Sequence, residues 1–149
     1  MRGSGESWVH EKGLPRVCRD PLAAHLGHRL LLATDLSAAS RPAELRAMQL
    51  AEEAHATLLI LAVVPSSTGA DHAAVRRLQA RTRLARRRGI AASGRLVVGD
   101  PAECILQAAA ADGADAIIMG AAQWRPAVGS PCGHVILHSR CPVMVTYAA

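Results

Sequence analysis

From residue 29 onward the chain alternates between two hydrophobic patterns. The segment RLLLATDLS is apolar from Leu30 to Ala33 and stops at Thr34-Asp35. A run that is apolar on both faces suits a buried parallel strand. SRPAELRAMQLAEEAHA then predicts a helix, with Ser40 near its cap and Pro42 in the first turn, where a missing N–H costs least. On that helix Leu45 and Met48 share a face with Ala51 or Glu52, and Glu44, Arg46 and Glu53 mark the solvent side. TLLILAVV, from Thr57 to Val64, predicts a second buried strand. DHAAVRRLQARTRLARRRG reads as a helix with a narrow stripe of Val75, Leu78, Thr82 and Ala85, ended by Gly89. RLVVG is a third strand. In DPAECILQAAAADG, Asp100 is the N-cap, Pro101 the first helical residue, Glu103 the capping-box partner and Gly113 the stop. DAIIMG predicts a fourth strand, SPCGHVILHSR a short helix, and CPVMVTYAA a fifth strand.

This alternation predicts an α/β fold: a doubly wound, Rossmann-like, five-stranded parallel sheet with helices on both faces. Ligands of such sheets sit outside the carboxyl ends of the strands. Asp35, Val63 to Pro65, Gly99-Asp100 and Gly120 all fall there. Residues 1–27 show neither period and are expected to be a flexible N-terminal tail, with the domain spanning 28–149.

Composition narrows the picture. A chain of 149 residues can bury a real core, but Phe is absent and Tyr147, Trp8 and Trp124 are the only aromatics. Ala, Leu, Val and Ile must therefore fill the interior. The four cysteines, Cys18, Cys104, Cys132 and Cys141, form no CxxC pair and read as reduced thiols of a cytoplasmic protein. No stretch approaches the ~20 apolar residues of a membrane span, and the N-terminus lacks a signal-peptide pattern. A formal charge of +5 permits contact with nucleic acid. Seven arginines crowd one predicted helix (Arg76, Arg77, Arg81, Arg83, Arg86, Arg87, Arg88), without interleaved aromatics or a reading motif. A solvated helix face is the plainer reading, so no nucleic-acid partner is expected.

RLLLATDLSAAS, GDPAECILQAAAADGADAIIMG, the Gly129-Ser130 pair and HSRCPVMVT together resemble the universal stress protein family over residues 29–147. The resemblance implies a small cytoplasmic homodimer made under stress, with no established catalytic chemistry. It also implies that the last strand, Val143 to Tyr147, pairs antiparallel with its copy. Some members bind ATP through Gly-x2-Gly-x9-Gly-Ser/Thr. The first glycine maps to Gly120 and the last pair to Gly129-Ser130, but Gln123 stands where the second glycine belongs. Nine positions separate Gly120 from Gly129, against thirteen in the family motif. The ATP-binding residues that the resemblance implies are Thr34, Asp35, Val63, Met119, Gly120, Arg125, Gly129 and Ser130.

Two functions stay open on these residues. In the first, the chain is a nucleotide-responsive binding module. The helix N-terminus at Gly129-Ser130 faces the phosphates, and Arg125 supplies a charge-assisted contact in place of lost amides. In the second, it is a dimeric scaffold for a protein partner and binds no nucleotide. There Pro126 and Pro131 stiffen the loop and remove a donor, and Trp124 fills the vacated pocket. Cys132, His134, His138 and Cys141 could be read as zinc ligands. His138 and Cys141 are, however, ordinary in the family's last segment, and no metal is expected. No nucleophile elbow, paired carboxylates or P-loop lysine appears, so no enzyme is expected.

Overall fold

A computed structural model of the chain describes residues 7–9, 17–19, 27–64, 72–121 and 129–147. Five strands form one sheet: β3 (Arg29–Thr34), β4 (Thr57–Val64), β5 (Ala91–Val98), β6 (Ala116–Ala121) and β7 (Val143–Tyr147). Their order is β5-β4-β3-β6-β7, and every pairing is parallel. Four helices cross between them: α1 (Arg41–Ala54), α2 (His72–Arg87), α3 (Pro101–Asp112) and α4 (Pro131–His138). Strands β1 (Ser7–Val9) and β2 (Val17–Arg19) pair antiparallel within the stretch expected to be a tail. Strands of three residues are too short to carry a readable period.

The apolar runs are continuous because both faces of each inner strand are covered. Leu30, Leu32, Ile60 and Ile118 point to the side of α1 and α2, where Met48, Leu50 and Leu78 meet them. Leu31, Leu61, Ile117 and Met119 point the other way, toward Ile105 of α3 and Val135 of α4. A side chain of this size fully buried stabilises by roughly 1.5–3 kcal/mol, so aliphatics alone supply the core without phenylalanine.

Three expectations fail in instructive ways. Glu44, read as a solvent-side residue, is buried at 2 % exposure, while Leu45 is 47 % exposed. The inner face of α1 is Ala43, Glu44, Ala47, Met48, Leu50 and Ala51, so the stripe is rotated by one residue. Val75 likewise lies outside the α2 stripe, and Ala74 takes its place. The third strand begins at Ala91, four residues before RLVVG, because AASG pairs in register with Thr57 to Ile60. Tertiary pairing overrides the weak β-propensity of that segment. A Cβ on Gly94 would lie 2.5 Å from Thr82 Oγ1, so glycine lets α2 approach the strand closely. The ends of α3 read as expected. Asp100 caps α3 by accepting from the Glu103 N–H at 3.0 Å, and Gly113 ends it at φ +63.

Candidate functional site

The carboxyl end of β3 turns into α1 through Thr34, Asp35, Leu36 and Ser37. Side-chain hydrogen bonds of Thr34 and Asp35 hold the turn, while the buried Ser37 hydroxyl has no partner among the described residues. Thr34 Oγ1 accepts the Leu36 N–H at 3.0 Å and donates to Glu44 Oε1 at 2.8 Å. Glu44 Oε2 in turn faces Arg81 Nε of α2 at 3.2 Å. Asp35 Oδ1 accepts the Ser37 N–H at 2.9 Å and the Ser40 hydroxyl at 2.6 Å. Ser40, expected to cap α1, makes no side-chain cap and serves the turn instead. Leu36 sits at φ +65, a left-handed conformation that costs a non-glycine residue of order 1–3 kcal/mol. Its buried side chain and its bond to Thr34 hold it there.

Partial burial by itself pushes the Asp35 carboxyl up, but hydrogen bonds from Ser37 and Ser40 outweigh it and hold the group below the usual carboxylate range. The Ser37 N–H and the Ser40 hydroxyl both fall on Oδ1. A depressed carboxyl stabilises the fold above its unfolded pKa, about 3.9, and that contribution is lost as pH falls through the lower folded value. Urea midpoints of the wild type and Asp35→Asn, compared from pH 6 to pH 2, should therefore converge below about pH 4. A gap that persists unchanged to pH 2 would show that the charge contributes nothing.

Opposite this turn stand the end of β6 and the start of α4. Ser130 is the N-cap of α4, its Oγ accepting the Gly133 N–H at 3.1 Å, and Gly129 precedes it at φ +87. Pro131 at the first helical position offers no N–H, and His134 N–H bonds the Ser130 carbonyl at 2.9 Å. The Cys132 N–H has neither of these partners and carries the positive end of the helix. Among the described residues the Ser130 hydroxyl hydrogen likewise has no acceptor.

A cavity of about 240 Å³ opens between these ends. Thr34, Asp35, Val63, Met119 and Gly120 line it, so five residues singled out in the sequence meet at one place. Ser40, Pro101, Ile105 and Pro131 line it as well and were missed. Pro101 and Pro131 had been read only as helix starters, and Ser40 only as a cap. Gly129 and Ser130 immediately precede Pro131 in the chain and do not themselves line the cavity, and Arg125 lies outside the described residues. At Gly120 an added Cβ would come no closer than 3.6 Å to its neighbours, so packing does not demand that glycine.

The other constellations resolve differently. His134 and His138 stack with ring centroids 4.2 Å apart, and His138 Nδ1 bonds the His134 carbonyl. Cys132 faces the core, where burial pushes its thiol up, and Cys141 Sγ lies against Ser139. Among the described residues no group of three or more potential metal ligands lies together. Of the arginines on and after α2, Arg81 pairs with Glu44, Arg86 Nε donates to the Ala92 carbonyl at 2.9 Å, and Arg88 pairs with Glu52. Among the described residues no helix is long and apolar enough to cross a membrane.

The family model "Universal stress protein family" matches residues 27–146, nearly the whole parallel sheet and its helices. The chain belongs to that family. Among solved structures, a universal stress protein family member from Burkholderia pseudomallei is 29% identical, with a TM-score of 0.64, over 81% of this chain and 97% of that one. A universal stress protein solved in complex with cAMP is 23% identical, with a TM-score of 0.70, over 82% and 98%. One from Archaeoglobus fulgidus in complex with dAMP is 20% identical, with a TM-score of 0.65, over 80% and 98%. At the last two identities the likeness shows the universal stress protein fold alone. No curated protein sequence matches the chain.

Proposed function

We propose that this chain is a nucleotide-responsive binding module that holds an adenine nucleotide, ATP among the candidates, at the carboxyl ends of β3, β4 and β6. The observation that carries this reading is the convergence of Thr34, Asp35, Val63, Met119 and Gly120 on one cavity beside the α4 N-terminus. Val63 and Met119 offer the apolar walls a purine ring needs. Asp35 Oδ2 suits a ribose hydroxyl, since a carboxylate only accepts. The Cys132 N–H, the Ser130 hydroxyl and Arg125 suit phosphate. Solved relatives that carry cAMP and dAMP support the same ligand class.

At about 240 Å³ the cavity is below the ~300–1,000 Å³ of typical small-molecule sites. It therefore takes the nucleoside, with the phosphates outside over α4. In this reading the protein acts by binding and release in the cytoplasm, and no group in the site is assigned a catalytic role. Denaturing the purified protein and reading the supernatant at 260 nm tests it, with released nucleotide near one per chain expected. An empty supernatant, together with no response to added nucleotide, would favour the scaffold that recognises a protein partner.

The same proposal includes a homodimer. β7 is an edge strand, and its residues Val143 to Thr146 are only half-buried. An apolar, β-branched edge left unpaired is an aggregation liability, and pairing with a second copy removes it. Sizing with light scattering should return twice 15.6 kDa at micromolar concentration. Val143→Lys with Val145→Lys should return the monomer mass. Both valines also pack on the α3 and α4 side, so circular dichroism must accompany the measurement. A wild type of 15.6 kDa would remove β7 pairing from the account.

A further inference from the structure

At the opposite edge of the sheet, β5 pairs among the described residues only with β4, and α2 runs beside it. Between them lies a groove of about 530 Å³. Its floor is Leu78, Leu96 and Gly94, and Gln79, Arg83 and Arg86 form its rim. Gly94 deepens the floor, because it is held side-chain-free by Thr82 and Leu78. The charge at the rim is one-signed, Arg83 and Arg86 both being cationic. Arg83 is exposed and has no acidic partner among the described residues, and the same holds of Arg76, Arg77 and Arg87 elsewhere on α2, unlike Arg81 and Arg88. Arg86 already binds the Ala92 carbonyl, which leaves Gly94 to Val98 as the open part of the edge.

We propose that this groove docks an extended acidic peptide segment of another protein, added as a sixth strand along β5. An edge strand supplies backbone donors and acceptors at every second residue, and alternate side chains of an added strand fall on one face. Over α2 that face meets an apolar floor with arginine at its rim, so it selects apolar residues flanked by carboxylates. Guanidinium forks bind carboxylates in two parallel hydrogen bonds, which fixes the register. Nucleic acid fits the surface less well, because no aromatic side chain lines the groove for a base to stack on. The inference is independent of the nucleotide site.

The test uses full-length protein and a fluorescein-labelled peptide of about ten residues that alternates glutamate with valine, read by anisotropy. Binding in the micromolar range is expected, weakening about tenfold or more in Arg83→Glu, an exposed substitution that leaves the core untouched. Amide shifts in labelled protein should centre on Gly94, Arg95 and Leu96. A copy of the peptide N-methylated at alternate residues cannot pair as a strand, and its binding should be lost. If the methylated copy binds equally well, strand addition is wrong and the surface is merely electrostatic. No binding at millimolar peptide, shifts centred elsewhere, or displacement by an equal concentration of oligouridylate would each overturn the proposal.

Discussion

Glu44→Ala should destabilise the domain by about 3–5 kcal/mol, the cost of leaving one member of a buried pair without its partner. Glu44 is 2 % exposed and joins three elements: it accepts from Thr34 at the end of β3, sits on α1, and faces Arg81 of α2. Alanine leaves the Thr34 hydroxyl without its acceptor and Arg81, at 16 % side-chain exposure, without its carboxylate. Against a total stability of roughly 5–15 kcal/mol, that loss brings the domain close to unfolding at 37 °C. Glu44→Gln keeps an acceptor for Thr34 and should cost less than half as much. The double variant Glu44→Leu with Arg81→Leu should recover most of the loss, because an apolar pair of similar volume often replaces a buried ion pair without penalty. Urea denaturation followed by circular dichroism reads all three. A loss below 1 kcal/mol in Glu44→Ala would mean that the network is ornamental.

Asp35→Asn should weaken nucleotide binding about 10- to 100-fold while leaving the turn folded. Asparagine retains an oxygen to accept from Ser37 and Ser40, so the β3–α1 turn keeps its shape. The charge at Oδ2 is what disappears, and hydrogen bonds to a charged group are worth about 1.5–3 kcal/mol. Calorimetric titration with ATP gives the ratio of affinities. An unchanged affinity would move the ribose away from Asp35.

The fold was legible because its signals are local. Each inner strand is an unbroken aliphatic run such as TLLILAVV, and each of α1, α3 and α4 starts with proline in its first turn. The cavity was legible for the same reason. Thr34, Asp35, Val63, Met119 and Gly120 all end strands, and parallel pairing brings strand ends together whatever the loops do. Glu44 was not legible. A charged residue next to Leu45 on an amphipathic helix reads as solvent-facing, and its partner Arg81 lies 37 positions away, beyond any local pattern. Ser40 was misassigned because a serine before Pro42 satisfies the helix-cap rule, while its real partner, Asp35, lies on the preceding turn. The first half of β5 was hidden by composition, since AASG has no strand signature until β4 is placed beside it.

Thermal unfolding of the wild type with and without 5 mM ATP tests the central claim most directly. A ligand that binds only the native state stabilises it by RT ln(1 + [L]/Kd), about 2.7 kcal/mol at a hundredfold excess over Kd. For a domain of this size that is a rise of several degrees in Tm. The wild type should show such a rise, and Asp35→Asn at most about half of it, since a 10- to 100-fold weaker Kd leaves about 0.4–1.4 kcal/mol. No rise in the wild type at that concentration would contradict the central claim, and would leave the cavity between β3, β6 and α4 as a feature of the family fold that this chain no longer uses for nucleotide.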